Sequence, residues 1–268
     1  MKQALVTLAI GPGYRDRFEK FCRKGWTAYA QRHGFDIVVI DTPLDDSARA
    51  RARSPAWQKC LVLGSPQLAG YERVVWIDSD IYINPAAPSI IEGVAPERIG
   101  AMDEHSFPTP EARQAVLRSN IASAPETGSM NKDFWKACLD ARDWHAVVGL
   151  PKSAMRIVQT GVLVLSPRHH RAMLEHVYGL YEDDGLPSHN YEMRYLSHEI
   201  QASGLAHWID TRFNVLAWWI IQLVCMKTGR EPNQAELKCF LMESYLRNHF
   251  LHFAGIGDLM PLIGFIGA

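Results

Sequence analysis

The sequence predicts an α/β fold, a mostly parallel sheet flanked by helices and built as a single domain. Three observations predict it. The chain opens as strand, helix, strand: "QALVTLAI" is an apolar run closed by "GPG", Phe18, Phe21, Cys22, Trp26 and Tyr29 fall at helical spacing, and "FDIVVID" is a second apolar run. A third apolar run, "RVVWI", leads straight into "DSD" at 78–80. Strand and helix patterns then alternate towards the C-terminus, as a parallel sheet with crossover helices requires. With 268 residues and 47% hydrophobic content, the chain can bury one large core.

The elements follow in order. Gly34 sits where the first helix needs a C-terminal cap. Ser54 and Pro55 start a second helix that runs to about residue 64, with the serine capping and the proline taking the first turn. "RIGAMD" is a short strand. Residues 104–155 are weakly patterned, and "FWKACLDARDW" is the clearest helix in them. "RIVQTGVLVLS" is a strong strand, and its Gly161 marks a bulge or a close approach. Leu174, Val177, Tyr178 and Tyr181 give a helix, and "YEMRYLSHEIQASG" gives another that ends on Gly204. Asn233 and Glu236 form a capping box for a last one. "LAWWIIQL" reads as core, with a lipid-facing or acceptor-binding surface as its alternative.

Charged residues make up 21% of the chain and the net charge is -1, which excludes a dedicated nucleic-acid binder. The five cysteines, at 22, 60, 138, 225 and 239, are scattered and form no CxxC pair. That is the usage of a reduced compartment, without a cysteine-built zinc site. "MKQALVTLAIGPGY" lacks the pattern of a signal peptide, and "VLAWWIIQLVCM" falls short of the roughly 20 residues of a spanning helix. A cytoplasmic protein is expected, with at most peripheral contact at the inner membrane surface.

The "DSD" motif raises the chemical question. Two carboxylates at the end of a buried strand repel each other unless a cation meets them. Asp78 and Asp80 can hold Mg²⁺ or Mn²⁺, which bind carboxylates together with substrate phosphates. Parallel sheets also place ligand sites at the carboxyl ends of their strands. The plain alternative is a polar turn. His252, in "NHFLHFAG", offers a neutral imidazole to the same cation, and Tyr14, after the "GPG" turn, suits a base-binding corner. His249 and His252 do not read as a helical zinc pair, because Gly255 and Gly257 break the helix. His169 and His170 read as a solvated helix start. Arg49, Arg51 and Arg53 read as an exposed loop, with a clamp on a diphosphate or an anionic acceptor as the alternative.

Taken in order, the βαβ start, the strand into D-x-D, the strand with "QTG" and the H-x-x-G at 252–255 resemble a GT-A glycosyltransferase, closest to the retaining family 8 and the galactosyl- and xylosyltransferases of family 34. The resemblance spans residues 4–258. It implies a Rossmann-like nucleotide-binding half, 1–102, and an acceptor-binding half, 103–268. It implies Asp78, Asp80 and His252 as ligands of Mn²⁺ or Mg²⁺, with Asp80 the firmer ligand and Asp78 also near the donor ribose. Ala9, Ile10 and Tyr14 would border the base, Lys59 would touch the donor, and Gln159 and Gly161 would line the donor sugar. The chain departs from the families in three places. Gln159 stands where they have asparagine, Asp258 stands where family 8 often has a lysine for the diphosphate, and Glu192 and Met193 precede Leu196 and Ser197 where related families have an acid and a glutamine before an L-N pair, so only the acid is kept.

The implied reaction moves a hexose from a nucleotide sugar, with UDP favoured by the resemblance, to a glycan or glycolipid acceptor. Retention calls for a group beside the anomeric centre. Glu192 and Glu199 are the acidic candidates, placed on one helix face by their spacing, with Glu192 preferred and Gln159 adjoining. Their alternative is a solvated helix surface. Two other functions fit parts of the pattern. A haloacid dehalogenase-type phosphatase also ends a strand in D-x-D, but its motif opens the chain, and "DSDIYI" lacks the glycine and threonine that follow there. A non-catalytic sugar-nucleotide binder shares the fold without turnover.

Overall fold

The computed structural model describes residues 2–128, 130–183 and 191–264. Its strands are β1 (Gln3–Leu8), β2 (Asp36–Ile40), β3 (Arg73–Ile77), β4 (Ile81–Ile83), β5 (Ile99–Asp103), β6 (Val158–Leu165), β7 (Ala206–Trp208), β8 (Val215–Leu216) and β9 (Phe250–His252). Six of them form the main sheet in the order β2-β1-β3-β6-β5-β7. β6 alone runs against the others, pairing antiparallel with both β3 and β5. The sheet is mostly parallel, as expected.

Period-two alternation divides the core between the two faces of this sheet. Leu5, Val75, Ile77, Val162 and Val164 pack into one apolar cluster. Ala4, Val6, Val74, Trp76, Leu163 and Leu165 pack into the other. β3 and β6 are buried along their whole length, which is why both read as near-continuous apolar runs.

The first helical pattern folds as Pro12–Arg17, a π-helical turn at Phe18–Cys22, and Arg23–His33, which ends on a left-handed Gly34 with φ 72°. This helix braces the chain around "DSD". The Cys22 thiol donates to the Ser79 carbonyl at 3.4 Å and the Trp26 indole N–H donates to the Ile81 carbonyl at 2.8 Å. Gly25 is required by the same contact: a Cβ there would lie 2.6 Å from the Ile83 carbonyl oxygen. Pro55–Gly64 is helical, as read, but in the tighter 3₁₀ form. The capping box of Asn233 and Glu236 is present in full at the start of Gln234–Arg247.

Three local expectations are corrected. "FWKACLDARDW" forms two short helices, Lys132–Ala137 and Ala141–Ala146, and Pro110–Ser123 before them is a longer helix that was not read. Its pattern is weak because one of its buried positions is Arg113, whose guanidinium donates to the Cys138 carbonyl at 2.7 Å. The arginine run is not a loop but starts as a short helix, Ala48–Arg51, and of its arginines only Arg51 stays exposed. Arg53 is buried and Arg49 joins it on the carbonyls of 178–181 and on the Glu182 carboxylate. There the pair serves the C-terminal end of helix Pro167–Leu180, where cations complement the orphan carbonyls. His170 is fully buried, accepts the Ser166 N–H at 2.9 Å, and is pushed down to about 4 by burial.

"LAWWIIQL" lies in and just before helix Ala217–Thr228, whose Ala217 and Trp219 are buried while residues 220–226 are half-buried. It is core along one side only. Among the described residues no helix is long and apolar enough to cross a membrane. All five cysteines are free.

The remaining strands form a second, three-stranded sheet in the order β4-β9-β8. β9 lies between the other two, so that His252 pairs with Ile81 on one side and with Leu216 on the other. This register brings three distant segments together at the carboxyl end of β3.

Candidate active site

A cavity of about 420 Å³ opens at the carboxyl ends of β1 and β3. Leu8, Ile10 and Tyr14 line it from the first turn, and Lys59, Asp78, Asp80, Gln159, Thr160, Glu192 and His252 converge on it from five segments of chain. The chain turns at Ser79–Asp80 rather than staying extended, yet both aspartates still face His252. His252 Nε2 lies 3.3 Å from Asp80 Oδ1 and 3.7 Å from Asp78 Oδ2. One ligand atom from each of the three residues falls within 4.8 Å of the others, close enough for a single cation to meet all three.

The electrostatics follow from this packing. Burial pulls the His252 imidazole down, but the facing Asp80 and Asp78 carboxylates outweigh it and leave it above its usual value. Burial pushes Asp80 up, and His252 reverses this, leaving its carboxyl low. Nε2 thus stands at the point where positive charge would meet both carboxylates. Asp78 is fixed from behind: its backbone N–H donates to the Gly161 carbonyl at 2.8 Å, and the Trp76 indole N–H donates to its Oδ1 at 3.0 Å.

A buried ion pair forms the wall beside the carboxylates. Lys59 Nζ lies 2.8 Å from Glu192 Oε1 and 3.3 Å from Asp78 Oδ1, and the Thr160 hydroxyl donates to Glu192 Oε1 at 2.9 Å. Burial alone would lower the Lys59 ammonium, but Asp78 and Glu192 outweigh it and hold it well above its usual value. Burial pushes the Glu192 carboxyl up, with Lys59 opposing. The ammonium of Lys59 is therefore held between the two carboxyl groups. Glu192 precedes helix Met193–Ala202 and follows Tyr191, a non-glycine residue at φ 40°. Backbone strain of this kind is found where side chains are held for function.

Not every residue singled out by sequence comes to the cavity. Ala9 is fully buried and donates its N–H to the Ile40 carbonyl at 2.8 Å, while Leu8 and Ile10 on either side face the opening. Gly161 lies behind His252 rather than on the cavity wall: a Cβ there would sit 2.4 Å from the imidazole Cε1. β5 and β6 also slip register across this point, so Gly161 marks both a bulge and a close approach. Glu199 lies outside the cavity, where it accepts from the Tyr181 hydroxyl at 2.6 Å and contacts His198 Nδ1 at 3.1 Å.

The structure adds residues that were not singled out by sequence: Leu8, Trp76 and Thr160 at the cavity, and Asn214 behind His252. Asn214 is fully buried between Gln159 and His252, with its Nδ2 3.3 Å from Gln159 Oε1 and its Oδ1 2.9 Å from His252 Nδ1. By the resemblance "DTRFN" falls where such enzymes close the acceptor side, and nothing local marks its last residue as a partner of the histidine.

No protein-family model and no curated protein matches the chain. Among solved structures it is similar to a glycosyltransferase involved in glycosylation of the major capsid of PBCV-1, with 13% identity, a TM-score of 0.55, and coverage of 98% of this chain and 100% of that one. It also aligns with the galactosyltransferase LgtC, solved with donor and acceptor sugar analogs, at 12% identity and a TM-score of 0.45 over 95% of this chain and 87% of that one. The glycosyltransferase GlyE of Streptococcus pneumoniae TIGR4 aligns at 10% identity and a TM-score of 0.47, over 94% of this chain and 54% of that one. The likeness to the capsid-modifying enzyme shows that this chain has a glycosyltransferase fold of the GT-A-like kind.

Proposed function

We propose that the protein is a cation-dependent glycosyltransferase that moves a hexose from a nucleotide sugar, a UDP-sugar in this reading, to a glycan or glycolipid acceptor with retention of configuration. The observation that carries the proposal is the convergence of Asp78, Asp80 and His252 on one point of the cavity, beside the buried Lys59–Glu192 pair. Three oxygen and nitrogen ligands suit Mn²⁺ or Mg²⁺ shared with a diphosphate. The cation, when bound, supplies charge neutralisation to the departing nucleoside diphosphate.

The chain's own residues divide the remaining work. Residues 1–102 bind the nucleotide, with Tyr14 flanking the base and Leu8 and Ile10 forming the apolar floor beneath it. Lys59 supplies a fixed positive charge to the diphosphate side. Residues 103–268 hold the donor sugar and admit the acceptor. Glu192, positioned by Lys59 and Thr160, stands at the anomeric centre, where its negative charge stabilises an oxocarbenium-like state during front-face attack. Gln159 adjoins it. Glu199, engaged by Tyr181, supports the helix. The half-buried apolar side of Ala217–Thr228 is the surface for a lipid-linked acceptor or for peripheral membrane contact.

A ligand that binds only the folded state raises its apparent stability. A thermal-shift panel of UDP-, GDP-, ADP- and CDP-sugars, each with Mn²⁺ and with chelator, is expected to show a rise for the UDP-sugars that vanishes with chelator. No rise with any nucleotide in Mn²⁺ would remove the donor site. The NMR spectrum of the product is expected to show the anomeric configuration of the donor, and an inverted linkage would rule out retention.

A further inference from the structure

We infer that Asn214 is a positioning residue for the cation site, and that a chain of hydrogen bonds starting at the Gly161 amide fixes which nitrogen of His252 carries its proton. The inference rests on the cation site proposed above.

The argument starts from a donor that cannot be reversed. The backbone N–H of Gly161 donates to Gln159 Oε1 at 2.6 Å, so the oxygen of that amide must face Gly161. The same oxygen lies 3.3 Å from Asn214, so Asn214 must present its NH₂ group there. The carbonyl oxygen of Asn214 is thereby turned to His252 Nδ1, at 2.9 Å. A carbonyl oxygen only accepts. Nδ1 must therefore carry hydrogen, which makes Nε2 the nitrogen whose lone pair is free for a cation shared with Asp78 and Asp80.

Asn214 and His252 are buried, with the imidazole against Gly161, so turning over the amide or the ring would lose these hydrogen bonds with no solvent to replace them. A metal-bound histidine depends on such a partner at its other nitrogen for ring orientation and basicity, and losing that partner weakens metal affinity 10–100-fold.

The test compares Mn²⁺ binding, followed by electron paramagnetic resonance of the free ion, in the wild type, Asn214→Leu and Asn214→Asp, without any sugar nucleotide. Asn214→Leu keeps the volume and removes the acceptor, and is expected to weaken Mn²⁺ binding at least tenfold. Asn214→Asp keeps an acceptor for Nδ1–H and is expected to stay within about threefold of wild type. Equal binding by Asn214→Leu and wild type overturns the inference. So does an equal loss in both variants, which would mark a packing role. A wild type that binds no Mn²⁺ removes the cation site itself, and the inference with it. Should the variants fail to fold, the long-range ¹H–¹⁵N spectrum of the wild type loaded with diamagnetic Cd²⁺ decides: hydrogen on Nδ1 of His252 is expected, and hydrogen on Nε2 overturns the assignment.

Discussion

Asp80→Ala is expected to abolish chelator-sensitive donor binding. Asp80 faces His252 Nε2 at 3.3 Å, and its backbone is fixed by the Phe253 N–H donating to its carbonyl at 3.1 Å. Its carboxylate cannot be replaced by a neighbour, since Asp78 is already engaged by Trp76 and Lys59. Removing it leaves two ligands for the cation, and a diphosphate then approaches a wall that still carries Asp78 and Glu192. We expect Mn²⁺ affinity to fall by at least about two orders of magnitude, or roughly 3 kcal/mol at 1.4 kcal/mol per tenfold change. The thermal rise with sugar nucleotide should fall accordingly. A wild-type rise in the variant, still lost with chelator, would remove Asp80 from the site.

The second large effect concerns stability. Lys59→Met leaves the buried Glu192 carboxylate without its cation. Removing one partner of a buried pair costs about 3–5 kcal/mol, because the other charge stays buried and uncompensated. The side chains of Lys59 and Glu192 are 6% and 2% exposed, so solvent screens little of this. At about 2–4 °C per kcal/mol for a domain of this size, Tm should drop by roughly 10 °C. Adding Glu192→Leu to Lys59→Met removes the orphaned charge and should recover most of the loss, while donor binding stays impaired. A Tm change below about 2 °C in Lys59→Met would mean that the pair is not buried in solution. Recovery of both Tm and donor binding in the double variant would make the pair structural alone.

What was legible in the sequence was what is encoded locally. The run into Asp78 and Asp80, the cap at Gly34 and the box of Asn233 and Glu236 all depend on residues within a few positions of one another, and each appears as read. Gly161 was legible as an anomaly but not as a contact, because the ring that excludes its Cβ comes from β9. Lys59 and Glu192 were each singled out, yet their pairing depends on how two distant segments pack against β6. Helical spacing linked Glu192 and Glu199, and Glu192 does cap that helix in helical conformation, but spacing could not show that Glu192 meets Lys59 while Glu199 meets Tyr181 outside the cavity. Arg53 looked exposed because charge usually is, and only the folded chain shows the carbonyls that take it in. Asn214 was hidden for the same reason: its partners are contributed by β6 and β9.

The three-stranded sheet has a consequence for the order of events during synthesis. All six strands of the main sheet lie in the first 208 residues, ending with β7 at Ala206–Trp208. The strand that carries His252 leaves the ribosome well after them. A nascent chain can therefore pair all six strands of its large sheet before the residue that completes the Asp78–Asp80–His252 group is made. Asp80 also waits on that segment, because the Phe253 N–H holds its carbonyl.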